Sequence, residues 1–285
     1  MSRYRGKHVG VWKRGLVFPA IIVLLALTVW WSNASIEVEA VEFSSQRLPA
    51  AFDGLRIAVL SDLHGGVFGE DNHRLFSKVA QTDPDLIAVV GDLEDQSRGH
   101  DPVWVENLAK GLAAIAPVYY VTGNHEWAIG DVPAQKTALS EAGWTVLSNG
   151  FVPLEKGGET VFLAGIDDPN GYADQKSPEA VAAEVRNEDH FWILLAHRNT
   201  RFESQYSLLG ADLTISGHGH GGVIRLPFTD GLISTERTLF PSYTSGFYEA
   251  NGATVFVSRG IGNSGRLLRL FNLPQVTVIT LRCGT

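Results

Sequence analysis

Five short motifs of oxygen and imidazole side chains occur in order along this chain: Asp62-Leu63-His64, Gly91-Asp92, Gly123-Asn124-His125-Glu126, a lone His197, and Gly217-His218-Gly219-His220. Leaving Glu126 aside, they offer two carboxylates, one amide oxygen and five imidazoles. Oxygen and nitrogen donors without thiolate suit Mn²⁺, Fe or Zn²⁺. A pair of such ions suits attack on phosphorus, because it activates water and neutralises phosphate oxygens. The i, i+2 spacing of Asp62 and His64 turns both side chains to one side of an extended segment. His218 and His220 share that spacing, and the glycine between them permits close approach. Gly91 allows a tight turn, and Asp92 has two oxygens with which to bridge two ions. Taken singly, each motif has an ordinary reading as a turn, a cap or a satisfied histidine. Their joint presence, most at predicted strand ends, favours the metal reading.

The elements that must position these residues are legible in part. Arg56–Ser61 reads as a buried strand running into Asp62, Leu86–Val90 as a strand running into Gly91-Asp92, and Val118–Thr122 as one running into Gly123-Asn124-His125. Amphipathic helices are predicted over Asn72–Gln81 and Val103–Ala114, with breakers at Asp83-Pro84-Asp85 and Pro117. Polar residues just past the strands' C-terminal ends are where open α/β sheets build their sites. Further strands are predicted over 144–147, 152–154, 160–164, 192–196, 212–216, 254–258 and 276–281. His197 and Gly217-His218 again follow strands. The expected fold is α/β: a four-layer α/β/β/α sandwich of two facing mixed sheets.

The chain has 285 residues, of which 45% are hydrophobic, and a net charge of −8. Arg3, Arg5, Lys7, Lys13 and Arg14 are the only charged residues before residue 37; without them 18 basic residues face 31 acidic ones, a balance of −13. That balance disfavours bulk nucleic acid as a partner, though bound ions would invert the field locally. Cys283 is the single cysteine, so no intrachain disulfide forms.

Leu16–Trp31 is uncharged and follows five basic residues, with Trp30 and Trp31 as interfacial aromatics. Residues 1–35 are therefore expected to be a basic cytoplasmic stub and a signal-anchor helix. The competing readings are a cleaved signal peptide and a buried core helix. The positive-inside bias puts the catalytic domain outside the cytoplasm, on a single-pass membrane protein. Residues 36–54 are expected to be a linker and edge strand, and 55–285 the catalytic domain.

On these motifs the chain resembles the calcineurin-like metallophosphoesterases, whose pattern is D-x-H, G-D, G-N-H-[DE], H and G-H-x-H, over about Leu55 to Leu281. The N-terminal membrane segment, the turn Gly217-His218-Gly219-His220-Gly221-Gly222, and the stretch Val257-Ser258-Arg259-Gly260 before Pro274 and a final strand are similar to membrane-anchored bacterial phosphodiesterases of the YkuE/YaeI type. The resemblance implies that Asp62, His64, Asp92 and His220 hold one metal ion, and Asn124, His197 and His218 a second, with Asp92 bridging. His125 is implied to face the substrate phosphate, as a charge stabiliser or a proton donor to the leaving oxygen. Hydrolysis by a hydroxide between ions ~3.5–4 Å apart is the implied chemistry. The chain departs from close relatives at Arg198-Asn199, where a proline is common, and at Val223, where glutamine is common.

Arg198, Arg259 and Arg266 are candidate phosphate or head-group contacts. Glu126 could orient His125 or be a solvated acid, and Asp167-Asp168 before Pro169 reads as a loop turn. Gly260–Gly265 matches G-x-G-x-x-G, but too little chain follows for a dinucleotide fold; it reads as a substrate loop or a plain turn. Phe68, Trp104, Trp127 and Phe247 could form an apolar rim or belong to the core. The expected substrate is a phosphodiester, either a small molecule or a lipid: a phospholipid, a UDP-2,3-diacylglucosamine-like lipid or another envelope-linked ester. The alternatives are a phosphomonoesterase and a catalytically weak metal-binding envelope protein.

Overall fold

The computed structural model describes residues 11–171, 175–186, 190–226, 229–235, 237–265 and 267–284, with side chains from residue 17 onward. The first helix among the described residues is α1 (Val11–Ala34), which contains Pro19 and is largely exposed over its apolar stretch Val17–Ala34. At ~1.5 Å per residue its 24 residues span about 36 Å. That is enough for a hydrocarbon layer about 30 Å thick.

The strands are β1 (Glu37–Ser45), β2 (Arg56–Leu60), β3 (Leu86–Val90), β4 (Val118–Val121), β5 (Thr145–Val146), β6 (Gly150–Lys156) and β7 (Glu159–Ile166). They continue with β8 (Trp192–Arg198), β9 (Leu213–Gly217), β10 (Ile224–Arg225), β11 (Gly231–Ile233), β12 (Gly246–Ala250), β13 (Ala253–Val257) and β14 (Gln275–Cys283). The helices after α1 are α2 (His73–Gln81), α3 (Pro102–Ala113), α4 (Asn124–Ile129), α5 (Val132–Glu141) and α6 (Pro178–Arg186). One sheet has the order β1-β14-β2-β3-β4-β5 and the other β12-β13-β9-β8-β7-β6. Both are mixed: β14 is antiparallel to β2, and β6 and β12 are antiparallel to their neighbours, among otherwise parallel pairs. Residues 36–54 supply β1, whose full length pairs with β14 from Glu37–Gln275 to Ser45–Cys283.

The alternation of side chains along the strands creates three apolar layers. Ile57, Val59, Ala88 and Val90 meet Leu163, Ile193, Leu195 and Ile215 between the sheets. Ala58, Leu60, Ile87 and Val89 point the other way, onto Leu75 and Val79 of α2 and Leu108 and Leu112 of α3. Ala164, Trp192 and Leu194 pack outward on Val181 and Val185 of α6. Strands buried on both faces read as continuous apolar runs, and the result is the expected α/β/β/α sandwich. Phe68 and Trp104 belong to the core beneath the first sheet, and Phe247 packs against the core between the sheets.

Candidate metal centre

Every motif residue lies at the C-terminal ends of β2, β3, β4, β8 and β9, where the two sheets present their loops to one side. Asp62, His64, Asp92, His218 and His220 all have positive φ, between 47° and 68°. Left-handed backbone is uncommon for residues with a Cβ and is held only where surroundings over-determine it. Those surroundings are crowded. Gly91 has φ +75°, and a Cβ there would come within 2.6 Å of His197 Nδ1 and of the Gly123 amide. A Cβ on Gly123 would collide with the Asp92 carboxylate. The tract Gly260–Gly265 is more than a plain turn, and its Ser264 reaches the cavity at the site. It backs the first motif, with Ile261 N–H donating to Ser61 O at 3.0 Å and Gly262 N–H to Asp62 O at 2.6 Å.

Among the described residues three groups of ligand atoms form, each with its atoms within 4.8 Å of one another: Asp62 with His64 and His220, Asp92 with His197 and His218, and His64 with Asp95 and His125. The first two match the expected ligand sets. Asp92 stands between them. Its Oδ2 lies 3.2 Å from His197 Nε2, 3.8 Å from His64 Nε2 and 3.9 Å from His125 Nε2. Its Oδ1 instead accepts the His125 backbone N–H at 2.9 Å. One oxygen, Oδ2, thus faces both groups, while Oδ1 is engaged by the backbone.

The residues fit divalent ions. Asn124 Oδ1 is buried with no hydrogen-bond partner among the described residues, an arrangement that costs stability unless a ligand satisfies it. His197 Nδ1–H donates to Val90 O at 2.8 Å, which leaves the Nε2 lone pair aimed at the site. Burial, and then the charge of His197, pushes the His218 imidazole down to about 3, so it is neutral as a ligand must be. Burial alone would depress His197, but Asp92 and Asp62 overcome it and raise its imidazole to about 10. An ion there would take that proton's place.

His125 presents a different face. Its Nδ1 accepts the Gln96 backbone N–H at 3.0 Å, so in the neutral ring the proton sits on Nε2, the nitrogen nearer Asp92. A cavity of about 220 Å³ opens here, lined by Asp92, Asn124, His125, Arg198, His218 and His220, with Thr235 and Ser264 at its edge. His218 and Thr235 also line a second cavity of about 290 Å³, bounded by Asn199, Glu203 and Tyr243.

The three candidate arginines separate. Arg198 reaches the first cavity and is held by a two-point pair with Asp168, Nε to Oδ2 at 2.6 Å and a terminal nitrogen to Oδ1 at 3.1 Å. Arg259 pairs with Glu37 of β1 and does not line that cavity, so the expectation of a substrate contact there is corrected. Arg266 lies outside the described residues. Asp167 and Asp168 are not a simple loop turn: both are buried, Asp167 pairing with Lys136 and accepting from Thr122 Oγ1 at 2.7 Å. Glu126 is neither solvated nor aimed at His125. It is fully buried and accepts the backbone N–H groups of Asp92 at 3.0 Å, Leu93 at 2.7 Å and Gly123 at 2.6 Å. Burial, with the Asp92 charge, raises its carboxyl to about 7.

Two supporting residues carried no motif. Asp95 Oδ2 lies 3.3 Å from His64 Nδ1 and accepts the Gly265 N–H at 2.6 Å; a carboxylate behind a ligating histidine fixes its orientation. Its only sequence signal is an acid three residues beyond Gly91-Asp92. Arg269 is fully buried, donating to Gly262 O at 2.7 Å and Arg259 O at 2.8 Å, with a terminal nitrogen 3.3 Å from His220 Nδ1.

Residues 55–222 match the calcineurin-like phosphoesterase family. The chain belongs to that family. The metallophosphoesterase YkuE of Bacillus subtilis (strain 168) is 30% identical over 87% of this chain and 86% of its own length. A metallophosphoesterase of Aquifex aeolicus (strain VF5) is 29% identical over 92% and 98%. A transmembrane protein with a metallophosphoesterase domain from Danio rerio is 28% identical over 86% of this chain, which spans 57% of that longer protein. Family membership makes this chain a metal-dependent phosphoester hydrolase.

Proposed function

We propose that this chain is a membrane-tethered phosphoesterase using two divalent ions and preferring phosphodiesters, with Asp62, His64, Asp92 and His220 around one ion and Asp92, Asn124, His197 and His218 around the other. The observation that carries this reading is the position of Asp92 Oδ2, facing both imidazole groups at 3.2–3.8 Å. Bound ions would supply a water acidic enough to attack near neutral pH and would neutralise phosphate oxygens. The chain's own residues do the rest. His125, with Nδ1 held by Gln96, offers Nε2–H to a phosphate or leaving-group oxygen. Arg198, fixed by Asp168, offers its guanidinium to the phosphate from the cavity wall. The pair of adjoining cavities supports a diester over a monoester, since a diester carries an organic group on each side of phosphorus.

Tethering is read from α1, with the basic residues 1–14 on the cytoplasmic side and the domain outside. A phospholipid or another envelope-linked ester is then the substrate within reach; a nucleotide-sugar lipid would require the domain to face the cytoplasm. The test is hydrolysis of an aryl phosphodiester and the matching monoester by the full chain with Mn²⁺, Asp92→Ala serving as the control. Metal-dependent diester turnover that the variant abolishes, with the His125→Ala variant reduced ~10²–10⁴-fold in rate, is expected. Faster turnover of the monoester would replace this reading with a phosphatase.

A further inference from the structure

Outside α1, ten large hydrophobic side chains are exposed among the described residues, and six of them lie in one stretch: Leu226, Leu239, Phe240, Leu267, Leu268 and Phe271. Phe240 is 75% exposed and Leu268 59%. Scattered apolar residues are ordinary on a surface, but a concentration of them marks a contact site. Backbone pairing joins this stretch into one flap. Phe240 N–H bonds Leu232 O at 2.9 Å, Ile233 bridges Leu239, Ile224 pairs with Ile233, and Ile224 bridges Leu270. Phe240 and Phe271 also have positive φ, 50° and 53°, a conformation that bulky side chains rarely adopt.

The flap is fastened to the end of α1. Phe271 N–H donates to Ser32 Oγ at 3.0 Å, Arg269 N–H to Asn33 Oδ1 at 3.0 Å, and Asn33 Nδ2 to Arg269 O at 2.9 Å. Asn263 Nδ2 donates to Asn33 Oδ1 at 2.8 Å. Trp30 and Trp31, both exposed, precede this joint directly. Where α1 leaves a bilayer, its Trp pair sits at head-group depth. A flap hydrogen-bonded within one helical turn of that pair is held at the same depth. The chain is acidic as a whole, so the attraction is apolar rather than electrostatic.

We propose that this flap, formed by residues 223–226, 231–235, 237–240 and 267–271 and carrying Leu239, Phe240, Leu267, Leu268 and Phe271, is a membrane-docking surface that inserts these side chains into the head-group boundary of the bilayer in which α1 is anchored. The proposal rests on the reading of α1 as a membrane helix. The flap also carries Ser234, Thr235 and Thr238, which line the second cavity. Docking therefore sets the mouth of the site at the lipid surface, where the phosphoester of a lipid head group can enter without the lipid leaving the bilayer. Arg269 lies between the joint with Asn33 and the wall of the site, which fixes the height of the cavity relative to α1.

The test uses the full chain in phosphatidylcholine vesicles. In a Cys283→Ser background, a single fluorophore is placed at Phe240→Cys or Leu268→Cys. The control is Glu155→Cys on β6, at the opposite end of its sheet from β12. Docking requires lipid-borne quenchers to act at least fivefold more strongly on the first two labels than on the control, with aqueous iodide showing the reverse order. Equal iodide access at all three positions overturns the proposal. So does shielding from iodide without lipid quenching, which would mean that another protein surface covers the flap. The double variant L239S/F240S gives a second readout. Unchanged turnover of a soluble aryl phosphodiester with at least a tenfold loss on a vesicle-embedded one is expected, and equal rates for variant and parent on both substrates count against docking. The quenching result needs no activity, so a failure of the hydrolase reading is distinguishable from a failure of this one.

Discussion

Replacing Glu126 probes how the site is built, because this carboxylate organises the turn that carries Asp92 through backbone hydrogen bonds. In Glu126→Ala the amides of Asp92, Leu93 and Gly123 lose their acceptor. A buried donor left without a partner costs about 1–3 kcal/mol, a gross loss of roughly 3–9 kcal/mol. Relief of the carboxylate's own desolvation, which raises its pKa to about 7, offsets part of that. A net loss of about 3 kcal/mol corresponds to a fall in Tm of roughly 6–12 °C for a domain of this size. Glu126→Gln discriminates further. One oxygen can still serve Leu93, but the new NH₂ group must face the Asp92 and Gly123 donors. Gln is therefore expected to be nearly as damaging as Ala. The assay is thermal unfolding of the metal-free and Mn²⁺-loaded protein, with metal affinity by titration. A shift within about 0.5 kcal/mol for both variants, the behaviour of an ordinary surface acid, would refute the reasoning.

Three other outcomes are expected. Asp95→Asn should keep the fold and lower metal affinity about 10–100-fold, because it weakens the support behind His64; isothermal titration checks this, and unchanged affinity would remove Asp95 from the site. Gly91→Ala should destabilise by more than about 1 kcal/mol through its positive φ, and should weaken metal binding by displacing His197; denaturant unfolding and metal titration read the two effects. Arg198→Lys loses the two-point pair with Asp168, and should raise KM for a phosphodiester about tenfold with a smaller change in kcat. Loss of kcat alone would place Arg198 away from ground-state phosphate.

The candidate ligand residues are legible because five motifs of oxygen and imidazole side chains stand in order, most of them at strand ends. Of the strands that carry them, β2, β3, β4 and β8 are largely buried and read as apolar runs, while β9 is buried but carries Thr214 and Ser216. Elements with weaker patterns escaped. α5 buries only Val132, Gln135 and Leu139, so its periodicity is faint. The roles of Glu126, Asp95, Asp168 and Arg269 were not legible, since each depends on backbone groups or partners far away in sequence. A single acid such as Glu126 reads as solvated until the fold brings three amides to it. Arg259 misled for the opposite reason: it stands in a motif-like stretch, yet β1 brings Glu37 to it.

Metal stoichiometry paired with turnover tests the central claim most directly. Elemental analysis of the full chain, reconstituted with Mn²⁺ and freed of excess ion, should find two ions per chain, together with hydrolysis of a phosphodiester that chelation abolishes. Asp92→Ala should lower occupancy at both positions, because its Oδ2 faces both imidazole groups. One ion per chain in the active protein, or full occupancy and turnover in Asp92→Ala, would contradict the account.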